Sequence, residues 1–403
     1  MSIRRRLLSA EQGKKYKYLT AIALENGFTA SFTRNALTYS IDGGEWVSLP
    51  TGSSTPEINK GQTISFRGGA FTPNSTYGIG TFTFTKKANL VGNVMSLLSA
   101  EEPAESITAN YAFRRLFKNN TNIIEVADDL LPAQTLAQYC YYEMFSGCSG
   151  LVNSPTLPAS TLESYCYRQM FQSCTSLEIA GDIKATTAAT YCCYSMFQDC
   201  SNLIRVQSTL LPTEVFSNSY NSMFLGCTSL SSAPELPATK LAARCYYSMF
   251  EGCSNLTKAP TTLPATTSTD TYIYSSMFQG CTSLVTAPRI AITTLKNYCC
   301  SNMFNGCTSL VNVYPLEGKT LVTNCYYRMF MGCSSLSSVT MLATAPTNAT
   351  NISSYCNSWL DGVYSSGTLT VSDTLYSYIT TSSVSGCPSG WTLISNNNPP
   401  EEI

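Results

Sequence analysis

Histidine is absent from this chain. Its absence removes the side chain best suited to proton transfer near neutral pH and the commonest metal ligand, so His-containing triads and His-bearing zinc sites are excluded. Charge is scarce as well: Asp, Glu, Lys and Arg make up 12% of residues, and the net charge is −1. That is about half the charged fraction of an ordinary soluble domain, and it supplies no general field for nucleic acid. The local exception is a basic start containing Arg4, Arg5, Arg6, Lys14, Lys15 and Lys17. No segment approaches the roughly 20 apolar residues of a membrane span, so no membrane insertion is expected. Only Leu7-Leu8 follows the first basic residues, where a secretory signal needs about 7–15 apolar residues. The acidic residues are scattered and sit on no shared repeat position, whereas glycoside hydrolysis needs two carboxylates facing across a cleft. The expectation is a non-enzymatic protein with no catalytic residues, no metal and no cofactor.

What the chain does have is a repeat. The cassette Y-C-Y-x-x-M-F-x-G-C-[ST]-x-L places Met-Phe pairs at Met144-Phe145, Met170-Phe171, Met196-Phe197, Met223-Phe224, Met249-Phe250, Met277-Phe278, Met303-Phe304 and Met329-Phe330. The steps between pairs are 26, 26, 27, 26, 28, 26 and 26 residues. A fixed period of this length is the signature of a solenoid, which presents a long surface rather than a closed pocket. Binding is therefore expected before chemistry.

The 18 cysteines follow the same period. One column lies three residues after the cassette Phe: Cys148, Cys174, Cys200, Cys227, Cys253, Cys281, Cys307 and Cys333. A second lies four before the Met: Cys140, Cys166, Cys192, Cys245, Cys299 and Cys325, with Ser219 and Ile273 in the remaining copies. Replacement by Ser and Ile suits a small buried position better than a mandatory crosslink, because free Cys behaves as a small core hydrophobe. Stacked coils would bring equivalent cysteines roughly 5 Å apart, within disulfide reach, so a reduced ladder, partial disulfides and metal binding all stay open. The C-x7-C spacing fits none of the usual zinc patterns.

Within one copy, Cys140, Tyr141, Met144, Phe145 and Cys148 fall at i, i+1, i+4, i+5 and i+8, which predicts one face of a short helix ending near Gly147. Leu151 and a small or β-branched residue three later (Ser154, Ala180, Val206, Ala233, Ala259, Ala287, Val313 and Val339) read as inward points of a short strand. The residues between them vary in chemistry from copy to copy. Asn153, Glu178, Arg205, Ser232, Lys258, Thr286, Asn312 and Ser338 are the candidate binding surface; solvated drift would show the same variation. Two tyrosine slots flank the cassette start. Tyr141, Tyr167, Tyr220, Tyr246, Tyr274 and Tyr326 are expected in the core. Tyr139, Tyr165, Tyr191, Tyr272 and Tyr298 are candidate aromatic contacts or half-buried packing, since Tyr combines contact area with a polar tip.

The chain divides as follows. Residues 1–20 are a basic leader, with Arg4, Arg5 and Arg6 as candidate docking residues. Residues 21–98 alternate with period two between Gly and Pro punctuation and read as a small all-β, sandwich-like domain. Its clearest hairpin runs through Leu37–Ile41, turns at Asp42-Gly43-Gly44 and returns through Trp46 to Leu49. The stretch Ser40 to Trp46 resembles an Asp-box turn one residue short, or is a plain hairpin turn. Residues 99–110 are a polar linker, 111–365 the repeats, 366–395 a C-terminal β cap and 396–403 a tail. A degenerate first copy has Leu116-Phe117 in the Met-Phe place and Asn120 in the Cys place, and a degraded last copy has Trp359-Leu360. The expected fold class is an α/β solenoid, leucine-rich-repeat-like, with about ten coils of ~26 residues.

The unit M-F-x-G-C-[ST]-S-L followed by A-P-x-L-P-A-T, clearest over Met223 to Thr239 and Met249 to Thr266, resembles the BspA-type leucine-rich repeat. Such proteins are surface adhesins and attachment proteins of gut and oral bacteria, and similar arrays occur on tail proteins of the phages that infect them. The resemblance implies attachment with no catalytic residues. This chain departs from the family in being richer in Cys and Tyr and in showing no secretion signal. That departure and the basic leader favour a phage tail or tail-fibre component, assembled in the host cytoplasm and located in the virion. The expected partners are other tail proteins through the N-terminal region and a host surface glycan or protein through the repeats. The alternative is a bacterial cell-surface adhesin. A homo-oligomer is compatible, although no heptad run specifies one.

Overall fold

The computed structural model describes residues 16–68, 76–99, 105–206, 212–265, 270–347, 349, 351–379 and 386–396. The docking residues Arg4, Arg5 and Arg6 lie outside the described residues. The chain forms two compact units, one of residues 1–186 and 199–208, the other of 187–198 and 209–403.

In the first unit, β1 (Leu19–Ala23), β2 (Ala30–Phe32), β3 (Leu37–Ile41), β4 (Val47–Leu49), β5 (Thr63–Arg67), β6 (Phe82–Phe84), β7 (Ala88–Val91) and β8 (Ile123–Val126) form two sheets. The larger has the order β4-β3-β5-β1-β7-β8, and β2 pairs with β6 in the smaller. The β3–β4 hairpin forms as its turn residues require. Asp42 accepts hydrogen bonds from Thr63 N (2.8 Å), Thr63 Oγ1 and Gln62 Nε2, so it clamps this turn to β5. Strand β1 begins inside the stretch expected to be leader, and it is buried at every position. Strand β8 belongs to the first, degenerate repeat, yet it pairs in parallel with β7. The β region thus carries its main sheet directly into the repeats.

The cassette is not helical, and here the structure corrects the expectation from spacing. Tyr139, Glu143 and Gly147 have φ of +58°, +53° and +76°, which no α-helix accommodates. The hydrogen bonds alternate along the chain. Cys140, Tyr142, Met144, Ser146 and Cys148 donate to the carbonyl three residues back in their own coil. Tyr141, Glu143, Phe145 and Gly147 donate instead to Cys166, Arg168, Met170 and Gln172 in the next coil, at 3.1, 3.0, 2.9 and 2.8 Å. The cassette is a run of overlapping turns with a strict period of four. Left-handed backbone at a non-glycine residue costs roughly 1–2 kcal/mol, and each inter-coil bond returns about 1 kcal/mol. A helix would keep every amide within its own coil and leave stacking to side chains alone.

The remainder of each coil is extended. In the first unit β9 (Ile179–Ala180) pairs in parallel with β10 (Arg205–Val206). In the second, β11 (Thr262–Leu263) pairs in parallel with β12 (Arg289–Ile290). That unit ends in a parallel sheet of β13 (Ser338–Met341), β14 (Gly367–Ser372) and β15 (Trp391–Asn396). Two four-residue helices, α1 (Ser353–Cys356) and α2 (Asp373–Tyr376), lie near this end. The fold is therefore a β-solenoid of leucine-rich-repeat-like coils, mostly sheet and turn rather than α/β, with about eight turns rather than the ten expected.

The inward columns are dry. Met144, Phe145, Cys148 and Leu151 and their equivalents are fully buried. In the first unit Phe117, Phe145 and Phe171 stack at centroid distances of 5.2 and 5.4 Å. In the second, Phe197, Phe224, Phe250, Phe278, Phe304 and Phe330 stack at 5.5–5.6 Å. The second tyrosine slot is core as expected, with Tyr220, Tyr246 and Tyr274 stacked at 6.0 and 5.9 Å. Ser154, Ala180, Ala287 and Val339 point fully inward, while Val206, Ala233, Ala259 and Val313 are half-buried.

Candidate binding surfaces

The strand side of each coil exposes two adjacent columns. Parallel bridges join Asn153 to Ile179, Ser232 to Lys258 and Thr286 to Asn312, and Arg205 faces Ile179 in β10–β9. Arg205, Ser232, Lys258, Thr286, Asn312 and Ser338 are all exposed, as expected from the repeat pattern. Two of the eight candidates need correction. Glu178 is exposed but belongs to the neighbouring column, since its amide bonds Val152 O and its carbonyl accepts from Ile204 N; the residue in register with Asn153 is Ile179. Asn153 itself is half-buried, and its side-chain amide bonds both Val126 N (3.2 Å) and Val126 O (2.8 Å). It ties coil to coil rather than facing a ligand. The neighbouring column mixes polar residues such as Glu178, Ser231 and Thr257 with Ile204, Val285 and Val311, which are 50%, 46% and 45% exposed.

The five candidate tyrosines are half-exposed at the left-handed position opening each cassette. Within each unit, neighbouring rings of this column stack face to face. In the first unit, Tyr111–Tyr139 and Tyr139–Tyr165 lie 4.6 and 4.5 Å apart. In the second, Tyr272–Tyr298 lie 4.7 Å apart, while Tyr191 packs on Tyr194 at 5.6 Å. Arg168 lies over Tyr165 and Tyr142, and Arg244 over Tyr272, an arrangement that favours cation–π attraction. Burial, then repulsion from Tyr165 and Tyr111, raises the Tyr139 phenol above its usual range. These rings offer flat, polar-edged shelves suited to sugar rings or other aromatic surfaces.

All 18 cysteines are buried free thiols. Among the described residues no cluster of three or more Cys, Asp or Glu is placed to hold a metal. Each thiol of the first column reaches back to the Phe carbonyl of the preceding coil. Cys148, Cys174 and Cys200 do so onto Phe117, Phe145 and Phe171 in the first unit, at 3.0–3.1 Å. Cys227, Cys253, Cys281, Cys307 and Cys333 do so onto Phe197, Phe224, Phe250, Phe278 and Phe304 in the second, at the same distances. Burial pushes Cys148, Cys253 and Cys307 up to about 12, so they are poor nucleophiles.

Sequence reasoning missed Arg34, Tyr77, Arg114 and Arg115, which line one cleft in the first unit. The visible signal was the dibasic pair inside the degenerate first cassette, Phe113-Arg114-Arg115-Leu116-Phe117, where full copies carry at most one basic residue. Among the described residues, no helix is long and apolar enough to cross a membrane.

The BspA-type leucine-rich repeat model matches in six copies, over residues 110–285, 220–360 and 271–389. Among solved structures, a leucine-rich repeat protein from Bacteroides ovatus ATCC 8483 is similar at 17% identity and a TM-score of 0.35, covering 81% of this chain and 89% of that one. The structure of a TLR13–ssRNA13 complex is similar at 12% identity and a TM-score of 0.29, covering 78% of this chain and 44% of that one. No curated protein matches the chain.

Proposed function

This chain belongs to the BspA-type leucine-rich repeat family, and from that premise we propose that it is a non-enzymatic attachment protein, a phage tail or tail-fibre component whose repeats hold a bacterial host surface. The observation that carries the reading is the contrast between a repeated interior and a varied exterior. Met, Phe, Cys and Leu recur inside, while the exposed strand positions run through Arg205, Ser232, Lys258, Thr286, Asn312 and Ser338. A solenoid holds its frame through contacts between neighbouring coils, so outward residues are free to change without cost to the fold. Exposed Ile204, Val285 and Val311 beside that line, and the tyrosine shelves elsewhere on the coils, add apolar and aromatic contact area of the kind that dominates recognition energy.

In this reading the N-terminal region docks to other tail proteins, the ligand is a surface glycan or protein, and the chain travels in the virion. The test is to assay purified phage particles for the full chain, and to screen the full chain against host cells and a glycan array. Presence in particles together with saturable host binding supports the proposal. Recovery from the bacterial envelope instead of particles would assign it as a cell-surface adhesin. Incorporation into particles with no binding to any host surface would make it an architectural piece.

A further inference from the structure

We propose that the cleft lined by Thr33, Arg34, Tyr77, Thr81, Arg114 and Arg115 is a binding site for a phosphate- or sulfate-type oxyanion. It lies wholly within the first unit, where the β region meets the first coil, and encloses about 350 Å3. Three guanidinium groups line it, but the structure supplies little negative charge to match them. Among the described residues, Glu143 is the one carboxylate paired with a lining arginine. It accepts from Arg115 Nε at 2.5 Å and also pairs with Lys118, so a single anion already serves two cations. Burial pushes the Glu143 carboxyl up, but these bonds from Lys118 and Arg115 outweigh it and hold the group ionised. Among the described residues, neither Arg34 nor Arg114 has a carboxylate partner. Arg34 sits 4.1 Å over the Tyr77 ring. Arg114 bonds Thr76 O and leans on Tyr142 and Tyr111, leaving its Nε buried with no hydrogen-bond partner. A buried guanidinium donor without an acceptor is costly, and an oxyanion is the ligand whose geometry satisfies such forks.

The cleft is also held rigidly before any ligand arrives. Thr33 N donates to Thr81 O and Ile79 N to Ala112 O, at 3.1 and 3.0 Å. Asn35 Nδ2 donates to Ile79 O at 2.7 Å, and Thr81 Oγ1 to Arg115 O at 3.1 Å. Gly78 and Gly80 have φ of +69° and +138°, and a Cβ at either would meet backbone oxygen at 2.8 Å (Tyr111) or 2.1 Å (Thr33). Only glycine allows the Tyr77 turn to lie this close to both neighbours. The three segments carrying Arg34, Tyr77 and Arg114-Arg115 are thereby fixed against one another, so little ordering cost remains for the ligand to meet. Exposed Tyr77, at 60%, flanks the opening and suits an organic group attached to the anion.

This site does not depend on the attachment reading, which concerns the coil surfaces. The test is calorimetric titration of the full chain at low ionic strength with inorganic phosphate, inorganic sulfate, a hexose 6-phosphate and the neutral hexose. The expected result is saturable binding of the anions, none of the neutral sugar, and roughly tenfold or greater weakening in Arg34→Gln, a substitution at an exposed side chain whose thermal unfolding should match the parent. A hexose phosphate that binds at least tenfold more tightly than inorganic phosphate identifies an esterified ligand; equal affinities identify the free oxyanion. The proposal is overturned if none of the anions binds saturably, or if binding survives undiminished in both Arg34→Gln and Arg114→Gln. Because the readout is anion affinity, its failure leaves host binding untouched, and the reverse holds as well.

Discussion

The two cysteine columns use one side chain for different work. The column beginning at Cys148 is filled by Cys in all eight full copies, and every thiol reaches a Phe carbonyl of the preceding coil at 3.0–3.1 Å. Even the degenerate first copy keeps the pattern. Asn120 stands in the Cys place, and its Nδ2 donates to Phe82 O at 3.4 Å. The column beginning at Cys140 is looser. Cys192 and Cys325 reach carbonyls only at 4.0 Å. Ser219 replaces Cys by bonding Ala189 O and Phe216 O, and Ile273 replaces it with no polar atom at all. Burial is common to both columns; the short bond to a Phe carbonyl of the preceding coil belongs to the first. Burial explains why Ser or Ile can stand in the second column, and the short bond explains why Cys in particular recurs in the first.

The largest expected effect comes from what the columns share. The folded-state values of Cys148, Cys253 and Cys307 in the first column and Cys140 and Cys245 in the second are raised from 9.0 to about 12 by burial. In the unfolded chain these thiols ionise near the lower value. Their contribution to stability is complete below pH 9.0 and is lost as pH climbs toward about 12. The loss is about 1.4 kcal/mol per thiol for each pH unit above the unfolded value. Urea unfolding at pH 8 and at pH 10.5 checks it. An unchanged midpoint would mean that the thiols meet water in the folded protein.

Next is the ring whose neighbours carry the directed bond. Phe250 stacks between Phe224 at 5.6 Å and Phe278 at 5.5 Å, and its carbonyl receives Cys281. Phe250→Ala is expected to cost about 3–5 kcal/mol in chemical denaturation, and a negligible cost would contradict the inward placement.

The smallest effect is the most discriminating, because it separates the columns. Cys253→Ala removes the bond to Phe224 O and is expected to cost about 1–3 kcal/mol. Cys245→Ser introduces the residue that Ser219 already supplies at the same place in another copy, and it is expected to cost less than about 1 kcal/mol. Equal costs from the two variants, measured by urea unfolding, would erase the distinction.

The repeat period, the inward Met, Phe, Cys and Leu and the core tyrosines were all legible, because each depends on residue type recurring at fixed spacing. The cassette was misread because i, i+1, i+4, i+5 and i+8 fit a helical face and a run of four-residue turns equally well. The clue that separates them is the polar or glycine residue at Tyr139, Glu143 and Gly147, where φ turns positive. Glu178 was assigned to the wrong column by one residue, although the 26-residue step from Asn153 leads to Ile179. The arginine cleft was legible only in part: the Arg114-Arg115 pair stood out in the first cassette, but Arg34, Tyr77 and Arg114 are far apart in sequence and meet only when the Gly78–Gly80 turn packs against the first coil.

The order of residues alone determined that this chain stacks: a cassette unable to bury its own apolar face must bury it against the next copy. It also determined which columns face inward, because water penalises Met, Phe and Leu wherever they are exposed. Only the tertiary structure decided how the backbone does this. An amide can bond within its coil or across to the next, and that choice depends on whether a neighbouring coil lies in register to receive it.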